Sequence, residues 1–228
     1  MRKNLRILAW TTGLFLMLFT VGCEKDQGSD EITVTDYDGN VYHGVKIGNQ
    51  VWMKENLAVT HFRNGDAIPT TNPLTLDITN QTAPVYQWVT GNNASNAAVY
   101  GRLYTWFAAT DTREICPEGW HIPSDDEWDA LWSYLGIDDA GNMLREEGTT
   151  HWYSASTATN ESGFTALPGD YRKQDGSYPG TVGFYGYWWT SGSSISNMAF
   201  YYSIDYTCFI TRATAYKNHG LSIRCIKD

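Results

Sequence analysis

Cys116–Leu135, CPEGWHIPSDDEWDALWSYL, brings a covalent tether, a tight turn and a helix start into one short segment. Ser124 can cap a helix whose Glu127 stands three residues on, so that each side chain satisfies an orphan amide of the other's backbone. Asp125, Asp126 and Glu127 suit the positive end of the helix dipole. Trp128, Leu131, Trp132 and Leu135 then fall at i, i+3, i+4 and i+7. That spacing predicts a helix with two indoles and two leucines on one stripe facing a core.

Upstream, Ile32–Tyr37 and Val41–Ile47 are β-branched and aromatic runs separated by Asp38-Gly39-Asn40, the composition of a hairpin turn, and Gly48-Asn49-Gln50 punctuates again before VWMKENL. Residues 65–98 carry prolines 69, 73 and 84 with many Thr and Asn and little periodicity, which predicts long loops with few short strands. Leu103, Trp106, Phe107 and Thr110 recur at helical spacing, so a second helix is expected over about Gly101 to Ala109. A short helical segment is expected at Asn142 to Glu147, stopped by Gly148. Two main helices among short strands indicate an α+β fold.

The first residues speak to compartment. Arg2, Lys3 and Arg6 precede an apolar run from Ile7 to Val21, and Thr20-Val21-Gly22-Cys23 resembles a bacterial lipobox, with Thr20 where leucine is usual. The run is shorter than the roughly 20 apolar residues a membrane span needs. The expected organisation is a lipoprotein signal at 1–22, a lipidated tether at 23–30 with Cys23 acylated, and a single domain at 31–228. The polar EKDQGSDE after Cys23 suits a flexible tether, and its acidic residues resemble surface-export signals of Bacteroidota lipoproteins. The chain has 16 basic and 25 acidic residues; cleavage removes three basic residues, so the net charge goes from −9 to −12. Such acidity argues against a nucleic-acid partner and leaves a membrane contact to the acyl chain on Cys23.

Of four cysteines, the lipobox takes Cys23 and leaves Cys116, Cys208 and Cys225, an odd number for an oxidising compartment. Bridging Cys116 to Cys225 would close a loop of roughly 100 residues, worth about 4 to 5 kcal/mol in the chain-entropy model. That pairing is preferred. The rival pairs Cys208 with Cys225 on neighbouring strands. Under the preferred pairing Cys208, on an alternating run from Phe200 to Ile210, is a buried core thiol.

From Phe184 to Tyr206 nine aromatics are interleaved with Gly, Ser and Asn, a composition that offers large contact area and adaptable hydrogen bonds. Alternation assigns the even positions from Phe200 to Ile210 to the core and turns Tyr201, Ser203, Asp205 and Thr207 outward. Trp188 and Trp189 read as core. The candidate ligand contacts are Tyr201, Asp205, Tyr206, Tyr216 and Asn218, the last two in the loop before Gly220.

Four blocks, IGNQVWMKENL at 47–57, YGRLYTWFAA at 100–109, CPEGWHIPSDDEW at 116–128 and GLSIRCIKD at 220–228, resemble the Fibrobacter succinogenes major paralogous domain in kind and order. That family is related to C-type lectin-like and formylglycine-generating-enzyme folds. The resemblance implies one lectin-like α+β domain, a twisted antiparallel sheet, termini brought together, and a secreted or lipid-anchored setting. It also makes specific chemistry testable. The Glu-Pro-Asn, Gln-Pro-Asp and Trp-Asn-Asp tripeptides of calcium-dependent sugar binding do not occur. Asp125, Asp126, Asp129, Asp138 and Asp139 are better placed as caps and solvated turns than as metal ligands. The five histidines are scattered singly, and His121 belongs to the GWH turn as a structural residue. A catalytic thiol at Cys208 would need a cation close by, and Arg212 is distant along an extended strand.

No nucleophile triad, phosphate loop or carboxylate motif is present, so neither a metal nor a cofactor is expected. The expectation is a cell-envelope lipoprotein whose non-catalytic domain recognises a glycan or a protein surface through its aromatic C-terminal third. Two alternatives are an accessory subunit of an outer-membrane assembly and an enzyme of the formylglycine-generating type. A hydrolase hidden among the carboxylates is a remoter one.

Overall fold

A computed structural model of the chain describes residues 31–154 and 157–228. The proposed signal at 1–22, the lipidation site Cys23 and the tether at 23–30 lie outside the described residues. Glu31–Asp228 forms one unit.

The N-terminal hairpin arises from Asp36, whose carboxylate accepts from the Asp38 and Asn40 amides at 2.9 and 3.0 Å and from the Tyr42 hydroxyl at 2.6 Å. This Asx-type turn joins β1 (Thr33–Thr35) to β2 (Val41–Ile47), with Val34 opposite Tyr42. Gly48, at φ 60°, and Asn49 then turn β2 into β3 (Gln50–Met53). A two-residue β6 (Trp120–His121) and the terminal β10 (Ile226–Lys227) complete a five-stranded sheet in the order β1-β2-β3-β10-β6, every ladder antiparallel.

The capped helix forms as its sequence predicts. In α3 (Asp125–Leu135) the Ser124 hydroxyl accepts from the Glu127 amide and the Glu127 carboxylate accepts from Ser124 N at 2.7 Å. Trp128 and Leu131 are fully buried, while Trp132 and Leu135 are only partly so. The expected second helix over Gly101–Ala109 is a correction. Gly101, at φ 71°, starts β5 (Arg102–Tyr104), which pairs with β4 (Gln87–Val89), and Thr105 then caps a one-turn α2 (Trp106–Ala109). The spacing of Leu103 and Trp106 mimicked a helix, but a short apolar run takes its conformation from whichever partner it meets. Two further turns, α1 (Ala97–Tyr100) and α4 (Ala140–Leu144), leave α3 as the one helix longer than five residues among the described elements. The expected Asn142–Glu147 segment thus begins earlier and ends three residues sooner. The chain is α+β but mostly strand.

β7 (Tyr185–Ile195), β8 (Met198–Asp205) and β9 (Ile210–Tyr216) form an antiparallel meander with Trp188 opposite Tyr202 and Trp189 opposite Tyr201. Trp188 packs into one hydrophobic cluster with Trp52, Trp128 and Phe164, and Trp189 into another with Met53, Tyr104 and Ile223. Adjacent strand residues point to opposite faces, so this sheet lies between two cores and both indoles are buried. The expected alternation fails for the same reason. Tyr202 and Ile204 are buried, but so is Ser203, and Tyr201 is half-buried.

Cys116 and Cys225 form a disulfide with their Cα atoms 6.1 Å apart. Cys208, expected in a buried strand, instead occupies the β8–β9 turn at φ 69° and is half-buried. Asp205 makes that turn by accepting from the Thr207 and Phe209 amides, which ends the strand early.

The last block, Gly220 to Ile226, is buried throughout and threads the layers together. Gly220 bridges Arg172, Leu221 bridges Tyr104, Ser222 bridges Trp188, and the carbonyls of Ile223 and Cys225 accept from Leu57 and Met53. Asn56 is the polar centre of this frame. Its Oδ1 accepts from Trp188 Nε1 and Arg224 Nη2, both at 2.8 Å, and its Nδ2 donates to Tyr100 O. Burial pushes the Arg224 guanidinium down to about 9, still cationic at neutral pH, and the Phe164 ring lies 4.1 Å from its Cζ.

Candidate functional site

Irregular segments must satisfy their buried carbonyls, and three fully buried arginines do much of this work. Arg172 donates to Leu74 O and Leu76 O at 3.0 and 2.7 Å and stacks over Trp88. Asn218 donates to Ile78 O and Gln81 O at 3.0 and 3.1 Å. Together they pin the proline-rich loop against the C-terminal third.

This pinning shapes two cavities that share Tyr216 as a wall. The first, of about 210 Å³, is walled by Tyr171, Tyr187, Tyr201, Tyr216 and His219 over a floor that includes Leu221. Tyr187 lies edge-on to both Tyr171 and Tyr201, with centroids 5.0 and 5.7 Å away, and His219 stands 5.6 Å from both Tyr171 and Tyr216. Burial raises the hydroxyl pKa values of Tyr171, Tyr187 and Tyr201, so all remain neutral donors. Among the described residues, none of the four tyrosine hydroxyls hydrogen-bonds to protein. Burial also drops His219 to about 4, and its Nδ1 is buried without a hydrogen-bond partner.

The second cavity, of about 400 Å³, is polar, with Gln81, Gln174, Ser196, Asn197 and Asn218 on its walls. No lining residue of either cavity is Asp, Glu, Lys or Arg. Other cavities differ. A larger one, of about 610 Å³ beside β2 and α1, carries Lys54, Glu55 and Arg102, and one near the disulfide carries Asp36, Arg63 and Glu118.

The five sequence candidates separate. Tyr201 and Tyr216 meet at the tyrosine cavity. Asn218 lines the polar one, with its amide nitrogen committed to the loop. Asp205 and Tyr206 lie at the opposite end of the meander. Asp205 caps its turn, and Tyr206 joins Tyr153 and Phe184 in an aromatic group with centroids 5.9 and 5.6 Å from it. Sequence reading did not assign Tyr171, Tyr187 and His219 to a site. The signal for His219 is its isolation, since the other four histidines each contact a carboxylate: Glu55, Asp38, Asp228 with Glu127, and Glu146.

The remaining chemistry is absorbed by the frame. Asp125 binds Arg212 and Thr190, and Asp129 accepts from Tyr202. Among the described residues no three His, Cys, Asp or Glu side chains are grouped to hold a metal ion, and no helix is long and apolar enough to cross a membrane. Cys208 has the Arg145 guanidinium 3.6 Å from Sγ, a neighbour that sequence distance concealed.

The fold and site define a disulfide-tied, strand-rich α+β domain with an uncharged aromatic cavity set in an acidic chain. The chain belongs to the Fibrobacter succinogenes major domain family, whose model matches residues 45–227. No curated protein and no solved structure matches it. All four motif blocks overlap the matched region, and the tyrosine cavity draws most of its wall from between the third and fourth.

Proposed function

We propose that this chain is a lipid-anchored cell-envelope protein whose C-type lectin-like domain binds a glycan or protein surface without catalysis, at the tyrosine cavity. The observation that carries the binding assignment is a wall of four tyrosines whose hydroxyls have no protein partner among the described residues. Such groups are satisfied by solvent or by a ligand, and a half-buried aromatic concavity favours a ligand that replaces water with matched contacts. The lipobox-like Thr20–Cys23 and the polar stretch behind it support the anchor. Disulfide, loop-rich frame and mixed strands support the lectin-like relationship.

The test is affinity measurement of the full chain against soluble glycans and purified envelope proteins, with Tyr201→Ala and Tyr216→Ala combined. Loss of binding with an unchanged melting temperature is the expected result; indifference of a bound ligand to both substitutions would place its site elsewhere.

A second reading, an accessory subunit of an outer-membrane assembly, is favoured by the opposite end of the meander. There Tyr153 stacks with Phe184 beside Tyr206, and Tyr153 and, in the β8–β9 turn, Phe209 are each 67% exposed, apolar surface suited to protein packing. Crosslinking from Phe209 to one fixed partner in intact cells, with no soluble ligand found, is the outcome that would favour it.

A further inference from the structure

We propose that the tyrosine cavity and the polar cavity are two subsites of one site for a neutral glycan, with one pyranose ring against the tyrosines and the next unit crossing Tyr216 onto the amides. This rests on the reading that the tyrosine cavity takes a ligand.

Scale comes first. About 210 Å³ is below the ~300–1,000 Å³ of pockets for drug-sized molecules, so the first cavity accommodates one ring-sized group rather than an extended ligand. Its walls are aromatic, and the electron-rich faces of tyrosine rings attract the weakly positive C–H groups on the apolar face of a sugar ring. The same rings carry hydroxyls, each both donor and acceptor. Sugar hydroxyls need partners with that dual character.

The second cavity repeats the pattern with different residues. Among the described residues, the side-chain amides of Gln81, Gln174 and Asn197 make no hydrogen bond to protein, and each offers donors and an acceptor. Tyr216, 43% exposed, stands between the two spaces and can serve a ring on either side. The walls are held in place beforehand, because Arg172 and Asn218 fasten the 74–81 loop through its carbonyls. That reduces the ordering needed on binding.

Charge then selects within the class. A chain with 25 acidic residues places none of them on these walls, and no lysine or arginine either. A uronate or sulfate entering here would lose water and meet no cation on the lining itself, in a protein of net negative charge. A neutral glycan incurs no such cost. The same absence of carboxylates means that a glycosidic bond lying across Tyr216 meets no acid and base pair, so the glycan is held rather than cleaved.

The experiment is calorimetry on the full chain in detergent, with neutral gluco-, manno- and galacto-oligosaccharides from mono- to tetrasaccharide and uronic-acid oligosaccharides of equal length. The expected result is neutral binding that tightens about tenfold from mono- to disaccharide, a gain removed by Gln174→Ala with Asn197→Ala, in variants whose melting temperatures match the parent. Tyr216→Ala should weaken the disaccharide by more than about tenfold. Preference for uronates, or a length dependence indifferent to the amide variants, overturns the inference while loss of binding in Tyr201→Ala still upholds the cavity. No saccharide binding at all also overturns it. In that case a protein ligand sensitive to Tyr201→Ala keeps the cavity reading, and an insensitive one removes both.

Discussion

Single side chains decide much of this molecule's stability, because irregular backbone leaves polar groups that only particular residues can satisfy. Asn56 accepts from both Trp188 and Arg224 while donating to Tyr100 O, all in a fully buried setting. Asn56→Ala removes the shared acceptor of the Trp188 indole N–H and of Arg224 Nε and Nη2, leaving the guanidinium only its bonds to the Phe164 and Thr165 carbonyls, so urea unfolding should show a loss of about 3 kcal/mol. His219 predicts a pH effect with a definite sign. Its folded pKa of about 4 lies below the ordinary 6.5 because burial opposes protonation, with Asp175 working weakly the other way and Lys173 and Arg172 reinforcing the drop. As pH falls, the unfolded chain takes up this proton first. The contribution of neutral His219 is therefore fully present above about pH 6.5 and is lost progressively towards pH 4, roughly 3 kcal/mol in all. Unfolding free energies of parent and His219→Gln should converge across that window. Parallel profiles would show that the imidazole is not held neutral.

At the scale of elements, the disulfide and the capped helix lie in the same block and make different predictions. Cys116 and Cys225 are 109 residues apart, so replacing both with serine should lower stability by about 4 to 5 kcal/mol in the chain-entropy model, read as a shift in the urea midpoint with unchanged secondary structure. Ser124→Ala removes one half of the capping box and should cost about 1 kcal/mol in the same assay. The helix and the first hairpin were legible because their signals are local: a cap, a stripe, an Asp-Gly-Asn turn. The strand Arg102–Tyr104 was not, because its conformation is set by Trp88, 15 residues from its partner Leu103, and by Leu221, 117 residues from its bridge partner Tyr104. Cys208 leaves the expected strand for a local reason, namely that Asp205 ends the strand by accepting from the Thr207 and Phe209 amides. Tyr201 and Tyr216 were found from composition. Tyr171, Tyr187 and His219 join them only through the register of β7 to β9 and the loop fastened by Arg172, which no linear pattern encodes.

Across the whole molecule, the recognisable blocks converge on the frame and the less recognisable stretches form the cavity. Asn56, Tyr100, Cys116 and Cys225 come one from each block, and all are buried in contacts that hold layers together. The cavity tyrosines come instead from residues 171 to 216, between the third and fourth blocks, three of them on a meander supported by cores on both faces and Tyr171 on the segment before it. A rigid sheet with a soft, uncharged rim can change its ligand by changing rim residues while its cores stay intact. The central claim is that ligand binds at the tyrosine cavity, and hydrogen–deuterium exchange of the full chain with and without a bound neutral oligosaccharide tests it most directly. The account predicts added protection at residues 171–174, 196–201 and 214–219; protection confined to residues 153, 184 and 206–209 would contradict it.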